Sequence, residues 1–393
     1  MRPLSDLTVL SLEHAVAGPF CTRQLAELGA RVIKVERPGV GDFARAMDER
    51  VRGLSSHFVW ANRSKESLTL DVKQPEAQAI MQRLIDESVD VVVQNLAPGA
   101  AARLGLSYEA LSARKPSIIV CDISGYGADG PYRDRKAYDL MIQSEAGFLS
   151  VTGTEQDRVK AGVSVADIAA GMYAYSGILA ALLERRRTGL GRRLDVSMLE
   201  SLAEWMGFPL YYAFEGAPPP PRAGASHSSI YPYGPFPAGD GKSVIFGLQN
   251  EREWVIFCDR VMQRPELATD ERFSSNARRN EARAELYRII VDTFSTTDAQ
   301  DLRRRLDDAG IANARVNELD EVWHHPQLRE RRRWREVGSP AGPIPALVPP
   351  GMSADEDVPM GSIPALGEHT ESILRGLGYD AASIARLRDA RTI

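Results

Sequence analysis

The chain has 393 residues, 44% of them hydrophobic and 26% charged, with 48 lysines and arginines against 53 aspartates and glutamates for a net charge of −5. That length supports two domains rather than one, and mild, dispersed acidity is not the charge pattern of a nucleic-acid binder. Cys21, Cys121 and Cys258 are too few and too scattered for a disulfide scaffold or a zinc site and predict reduced thiols in a cytoplasmic protein. No apolar h-region follows Met1 and no apolar run approaches the roughly 20 residues a bilayer needs, so neither secretion nor membrane insertion is expected.

In chain order, Leu7 to Glu13 reads as a strand, Pro19 opens a helix that Gly29 ends, and Ala30 to Glu36 is a second strand: a βαβ unit. A helix from Pro75 to Glu87, a strand from Val89 to Val93, a short helix after Ser107 and a strand from Ser117 to Ile123 repeat the alternation. Continuous branched runs such as Val91-Val92-Val93 and Ile118-Ile119-Val120 are what buried parallel strands require. Ile168 to Arg187 carries Ile168, Met172, Tyr175, Leu179 and Leu182 at helical spacing and predicts a long, well-buried helix closed by Gly189. Pro218 to Pro221 can be neither helix nor central strand and marks a boundary, so 1–217 and 222–325 are expected to be separate bodies. The second should be smaller and mixed, with strands in Ser228 to Leu248 turning at Asp240-Gly241 and helices beyond. The Pro- and Gly-rich stretch from Gly338 to Gly361 reads as an ordered crossing segment, Arg329 to Arg335 as a solvated helix face, and Thr370 to Arg391 as terminal helices.

Gly241-Lys242-Ser243 lacks the upstream glycine of a P-loop, the first βα turn lacks G-x-G-x-x-G, and the histidines, including His324 and His325, show no HExxH spacing or cysteine neighbours. A nucleotide triphosphatase, a dinucleotide enzyme and a metal centre are therefore disfavoured. The turn His14-Ala15-Val16-Ala17-Gly18-Pro19 has small residues that let a ligand approach the backbone at the edge where open α/β sheets bind. Arg37 follows the second strand, where it could hold a phosphate or simply end a strand. His14, taken alone, reads more readily as a hydrogen-bonded core histidine than as a ligand contact. Asp167 stands just before the long helix, where an aspartate ordinarily caps backbone N–H groups and where the helix dipole favours its charged form.

Several further segments recur in order: Arg37-Pro38-Gly39, Leu70-Asp71-Val72-Lys73, Asn95 with Pro98-Gly99, Arg103-Leu104-Gly105 and Gly125-Tyr126-Gly127. Val165-Ala166-Asp167, Arg187-Thr188-Gly189 with Asp195-Val196-Ser197, His325-Pro326-Gln327-Leu328 and Leu366-Gly367-Glu368-His369-Thr370 complete the series. With His14 to Pro19, this series resembles the class III CoA-transferases (the CaiB/BaiF type) over nearly the whole chain. The resemblance implies a large Rossmann-like parallel-sheet α/β domain formed from both chain ends, a smaller inserted α+β domain, 326–393 returning to the large domain, and an interlocked homodimer. It implies coenzyme A as substrate and product rather than as a bound cofactor, and no metal. His14, Val16, Ala17, Arg37, Leu70, Lys73, Asn95, Leu96, Arg103, Leu104 and Lys136 would surround CoA, the basic ones facing its phosphates. Asp167 would be the nucleophile, forming an aspartyl anhydride and then an aspartyl-CoA thioester.

Tyr138, Gly247 and Gln249, the last two in a loop expected to close over the site, are substrate-pocket candidates by the same resemblance. Arg63 and Arg222 are candidate partners for a second substrate carboxylate. The segment from Ser228 to Trp254 is similar to the branch that handles four- and five-carbon dicarboxylates. Succinyl-CoA with itaconate is the leading pair, beside mesaconate, citramalate and malate. Two rivals are an α-methylacyl-CoA racemase, whose proton-exchanging histidine would fall at Tyr138, and a non-catalytic CoA-binding protein. Acyl-CoA, a carboxylic acid and a second copy of the chain are the expected partners, with neither nucleic acid nor membrane.

Overall fold

The computed structural model describes residues 2–353, 355 and 360–393. Two compact units divide the chain, one built from residues up to Gly147, Ala161–Met206 and Pro326–Ile393, the other from Phe148–Lys160 and Gly207–His325. The sequence reading kept 148–160 and 207–217 with the first body. They belong instead to the second, where Arg222 donates to the carbonyls of Ser150, Thr154 and Glu155 and Gly224 N–H donates to Gly153. The proline run is thus internal to that unit rather than its border.

The first unit is organised by six parallel strands, β1 (Thr8–Leu12), β2 (Arg31–Glu36), β3 (Lys65–Thr69), β4 (Val91–Gln94), β5 (Ile119–Ser124) and β6 (Arg193–Ser197), in the spatial order β3-β2-β1-β4-β5-β6. Chain direction across the sheet reverses between β1 and β4. In open parallel sheets the crevice outside the carboxyl ends at such a reversal is where ligands bind. Leu10, Ile33, Leu68, Val92 and Val120 pack one core with the helix Pro75–Glu87 and with Ile373, Leu374, Ile384 and Leu387 of the terminal helices Thr370–Gly376 and Ala381–Asp389.

Strand β3 has no apolar run, because its inward Lys65 and Ser67 are buried against polar partners rather than hydrocarbon. Lys65 Nζ lies 2.7 Å from Glu13 Oε1, and Lys34 Nζ 2.8 Å from Asp42 Oδ2. Ser67 Oγ donates to Glu36 at 2.6 Å. Burial opposes charge on all of these groups, but the neighbouring cations hold the Glu13 and Asp42 carboxyls below the ordinary range. Lys65 is pulled down to about 8 by burial, with Lys34 adding to the effect and Glu13 opposing it.

The helix Val165–Thr188 is long and apolar enough to meet the length and composition of a bilayer span, which corrects the expectation that no run comes near one. In the fold it is a packing helix, and of the expected stripe Ile168, Met172, Tyr175, Leu179 and Leu182 only Leu182 is fully buried. Small residues make up most of the buried face, Ala166, Ala169, Ala170, Gly171, Ala174 and Ala181, joined by Ile178 and Leu182, while Met172 and Tyr173 are exposed. Small side chains let a neighbouring helix, Ala17–Glu27, come close: a Cβ added at Gly171 would lie 2.8 Å from the Ala17 carbonyl oxygen.

The Arg-rich stretch is also not a helix face. Only Pro326–Glu330 is helical; Trp334–Val337 forms strand β10, paired antiparallel with β11 (Ile344–Leu347). Arg333 is buried and donates to the carbonyls of Val348, Pro349 and Met352. The turn and β11 of this hairpin lie inside the expected crossing segment, which β10 precedes and of which 354 and 356–359 fall outside the described residues.

The second unit packs an aromatic core, including Phe236, Phe246, Trp254, Phe257 and Phe294, around the antiparallel strands β7 (Tyr233–Pro237), β8 (Ser243–Gly247) and β9 (Asn313–Arg315).

Candidate active site

The carboxyl ends of β1 and β4 are stitched together by one side chain. Asn95 Oδ1 accepts from the His14 backbone N–H at 2.8 Å, and Asn95 Nδ2 donates to the His14 carbonyl at 2.9 Å. The expected ligand residue Asn95 therefore shapes the turn that begins at His14. Ala15 follows at φ 59, a left-handed conformation costly for alanine, and its N–H donates to Asp42 at 3.2 Å. The Lys34–Asp42 pair beneath the turn is thus what holds it in shape. The His14 ring is partly exposed and stacks on Phe43, with centroids 5.7 Å apart.

From this turn the helix Ala17–Glu27 starts, and its first N–H, that of Ala17, lies near enough to the Asp167 carboxyl to favour its charged form. Gly171, one turn further along the long helix, permits the contact by letting the two helices approach. Gly18 serves the same compactness on the other side, since a Cβ there would sit 2.9 Å from Glu13 Cβ.

Asp167 is not the cap of its own helix. It is the third residue, after Val165 and Ala166; the N-cap is Ser164, and the free Ala166 N–H is taken at 2.8 Å by Oδ1 of Asp139, from the helix Asp139–Glu145. The other Asp139 oxygen accepts from the buried Gln143 amide at 2.6 Å. Capping is done from outside, and Asp167 is left free of it. The expectation that the helix start favours its charged form is reversed in the balance. Burial pushes the Asp167 carboxyl up, the Asp139 charge adds to the rise, and the Ala17 N–H opposes both, for a value of about 7. Asp139 and Gln143 were missed as site residues. The only signal was an aspartate opening a helical stretch, which is ordinary in any sequence.

Four exposed cations follow the carboxyl ends of neighbouring strands: Arg37 after β2, Lys73 after β3, Arg103 after β4 and Lys136 after β5. Among the described residues no ion pair engages them, whereas the cations buried below, Lys34 and Lys65, are all paired. An edge lined by unpaired positive charge suits a phosphate-bearing ligand. A cleft of about 420 Å³ opens at the ends of β4 and β5, beside the first half of β6, lined by Leu96, Gly99, Tyr108, Gly127 and Arg193 among others. Leu96 and Leu104 rest against the core with partial exposure. Val16, Ala17 and Leu70 are buried, so they offer a ligand little beyond backbone and surface contour.

The pocket candidates fare unevenly. Tyr138 is 65% exposed and immediately precedes Asp139. Arg63 is buried, paired with Glu27, and donates to the Leu347 carbonyl at 3.1 Å, so its charge is already answered inside the fold. Arg222 is likewise committed to three backbone carbonyls. Neither is available as a substrate clamp. Gly247 ends β8 with the Tyr233 ring against its α-carbon, and Gln249 N–H donates to Glu253, beside the Asn250 cap of the helix Glu251–Ile256. The expected closing loop is therefore a strand end joined to a capped helix, braced on both sides.

The family model for CoA-transferase family III matches residues 4–370. Succinyl-CoA:glutarate CoA-transferase of Mus musculus is 34% identical over 395 residues, covering 98% of this chain and 89% of that protein. Succinyl-CoA–D-citramalate CoA-transferase of Chloroflexus aurantiacus is 33% identical, covering 100% and 98%. A crystal structure of a CaiB/BaiF family protein from Brucella suis superposes with a TM-score of 0.85 at 32% identity, covering 96% of this chain and 99% of that one.

Proposed function

Since the chain belongs to CoA-transferase family III, we propose that it carries coenzyme A from succinyl-CoA to a five-carbon dicarboxylate, with Asp167 as the covalent relay. The observation that carries this reading is the partly buried Asp167 carboxyl in the first turn of the long helix, free of capping duty because Asp139 takes the Ala166 N–H, and raised to about 7 by burial and by Asp139. A carboxylate of that basicity attacks an acyl carbon better than an ordinary aspartate, while a useful fraction is still ionised at neutral pH. Its oxygen adds to the thioester carbonyl and expels CoA thiolate, leaving a mixed anhydride. The thiolate then attacks the aspartyl carbonyl and succinate departs. The acceptor carboxylate attacks the resulting aspartyl-CoA thioester, regenerating thiolate, which takes the acceptor acyl group and frees Asp167. Arg37, Lys73, Arg103 and Lys136 would meet the phosphates of CoA, with His14 and Leu96 beside its organic portion.

Glutarate and citramalate, named for the relatives, and itaconate and mesaconate, expected from the sequence, share five carbons and two carboxylates. Glutarate has three carbons between its carboxylates and the others two, while citramalate, itaconate and mesaconate differ by a hydroxyl or the place of a double bond, and such small differences are worth only about 1–3 kcal/mol in a pocket. Initial rates with succinyl-CoA and each acid in turn rank them, with four-carbon malate expected to be slower. Rates indistinguishable from those with a monocarboxylate such as butyrate would refute the dicarboxylate assignment. Exposed apolar side chains support a homodimer: Leu183, Leu190 and Trp205 in the first unit, and Phe208, Leu210, Tyr211 and Phe214 in the second. A cytoplasmic location fits three buried, unpaired cysteines.

A further inference from the structure

The turn that carries Lys73, between β3 and the helix Pro75–Glu87, is held from a distant part of the chain. Within the turn, Asp71 Oδ1 accepts from the Lys73 N–H at 3.2 Å, and the Asp71 carbonyl accepts from the Gln74 N–H at 2.9 Å. From outside it, the Thr392 carbonyl accepts from the Asp71 N–H at 2.8 Å, and Thr392 Oγ1 donates to Gln74 Oε1 at 2.7 Å. The other end of the Gln74 amide donates to Asp71 Oδ2 and to the Arg391 carbonyl, each at 3.2 Å. Lys73 is thus fixed through its backbone, while its side chain is left exposed. Thr392 is fully buried and reaches the turn by a sharp reversal after the helix Ala381–Asp389. There Arg391 N–H donates to the Arg388 carbonyl at 2.9 Å and Thr392 N–H to the Leu387 carbonyl at 2.8 Å, with Arg391 at φ 57. Glycine ordinarily takes that left-handed position, and holding a side chain there costs energy that the contacts of Thr392 must offset. Ile393 lines a cleft of about 350 Å³ together with Pro38 and Gly39, which brings this segment to the sheet edge that Arg37 also follows.

We propose that Thr392 and Gln74 are positioning residues for coenzyme A, holding the turn 71–74 in the conformation that presents Lys73 to a CoA phosphate. This role rests on the reading of Lys73 as a phosphate contact, and it adds to that edge a residue 318 positions beyond Gln74. A lysine is a point charge on a flexible stem, so much of its contact is lost to ordering the stem. A backbone fixed in advance removes part of that cost and aims the ammonium. A clasp that served the fold alone would act the same whatever residue stood at position 73. A positioning clasp loses its effect on CoA once the Lys73 ammonium is gone.

Calorimetric titration of CoA into the full chain, into Lys73→Ala, into Thr392→Val and into the double variant separates the two. Lys73→Ala should weaken CoA about tenfold or more, the loss of a hydrogen bond between charged groups. Thr392→Val keeps the shape and removes the hydroxyl's bond to Gln74; a weakening of about three- to tenfold is expected, with Thr392→Ser close to wild type. In the double variant CoA should bind no more weakly than in Lys73→Ala alone, because residues acting through one group are not additive. In turnover the loss in Thr392→Val should fall on KM for succinyl-CoA rather than on kcat. Wild-type CoA affinity in a folded Thr392→Val, or full additivity with Lys73→Ala, overturns the positioning role and leaves Lys73 as a contact. Unchanged affinity in Lys73→Ala overturns the contact and the positioning role with it. Should Thr392→Val fail to fold, Gln74→Met breaks the same bond from the other side and is judged by the same outcomes.

Discussion

A carboxyl that ionises at about 7 is half charged at neutral pH, and only the charged half can attack. Acyl transfer from succinyl-CoA should therefore rise with pH through about 7 and level off above it, the direction set by loss of the Asp167 proton. Asp139→Asn separates the charge of Asp139 from its capping: the amide oxygen can still accept from Ala166 N–H, but the negative charge beside Asp167 is gone. The midpoint of kcat/KM against pH should then move to lower pH. An unmoved midpoint in a folded variant would mean that burial alone raises Asp167. The same reasoning bears on stability. A folded-state value above the unfolded one makes the native protein bind a proton more tightly, so this residue's contribution falls as pH rises from about 4 to about 7. The fold thus tolerates at neutral pH an ionisation that it opposes.

At the scale of elements, Gly171 sets how close the helices Val165–Thr188 and Ala17–Glu27 can come. Gly171→Ala places a methyl 2.8 Å from the Ala17 carbonyl oxygen and 3.0 Å from the Phe20 ring, and backbone must move to admit it. Such overpacking costs about 1–3 kcal/mol, and the displaced Ala17 N–H would no longer meet Asp167. A lower melting temperature together with a lower kcat is expected; unchanged values for both would show that the crossing has slack. This crossing also explains what could be read in the sequence. Strands β1, β2, β4 and β5 are legible because most of their buried side chains are hydrocarbon, and the turn at His14 and Arg37 are legible because they follow β1 and β2, whereas Lys73, Arg103 and Lys136 are suggested only by the family resemblance. Strand β3 is not, since Lys65 and Ser67 look like surface residues until Glu13 and Glu36 are seen to meet them. The long helix is legible as a helix but less so in its facing: helical spacing of the larger apolar residues put Met172 inside, whereas close approach selects alanine and glycine. Asp139 caps a helix 26 residues further along the chain from its own, a relation that no local pattern encodes.

At the scale of the molecule, each unit has exposed apolar residues of its own, Trp205 in the first and Tyr211 in the second, and these motivate the homodimer proposal. If two chains cover them, the midpoint of thermal unfolding should rise with protein concentration. A concentration-independent midpoint, with a folded monomer in sedimentation at high dilution, would count against it. The first unit also has an unusual relation to chain order. Ser67 N–H donates to His369, Thr69 N–H to Thr370, and Asp71 N–H to the carbonyl of Thr392. Partners at β3 are thus separated by 301 positions in the Thr69–Thr370 pair. At about 5–20 residues per second on the ribosome, β3 waits about 15–60 s for the helix that covers it. During that interval the sheet has an open margin, and an unfinished strand beside a finished one is a place where nascent chains mispair. Production of this protein should accordingly be limited less by the stability of the finished fold than by what shelters its early half while the late half is being made.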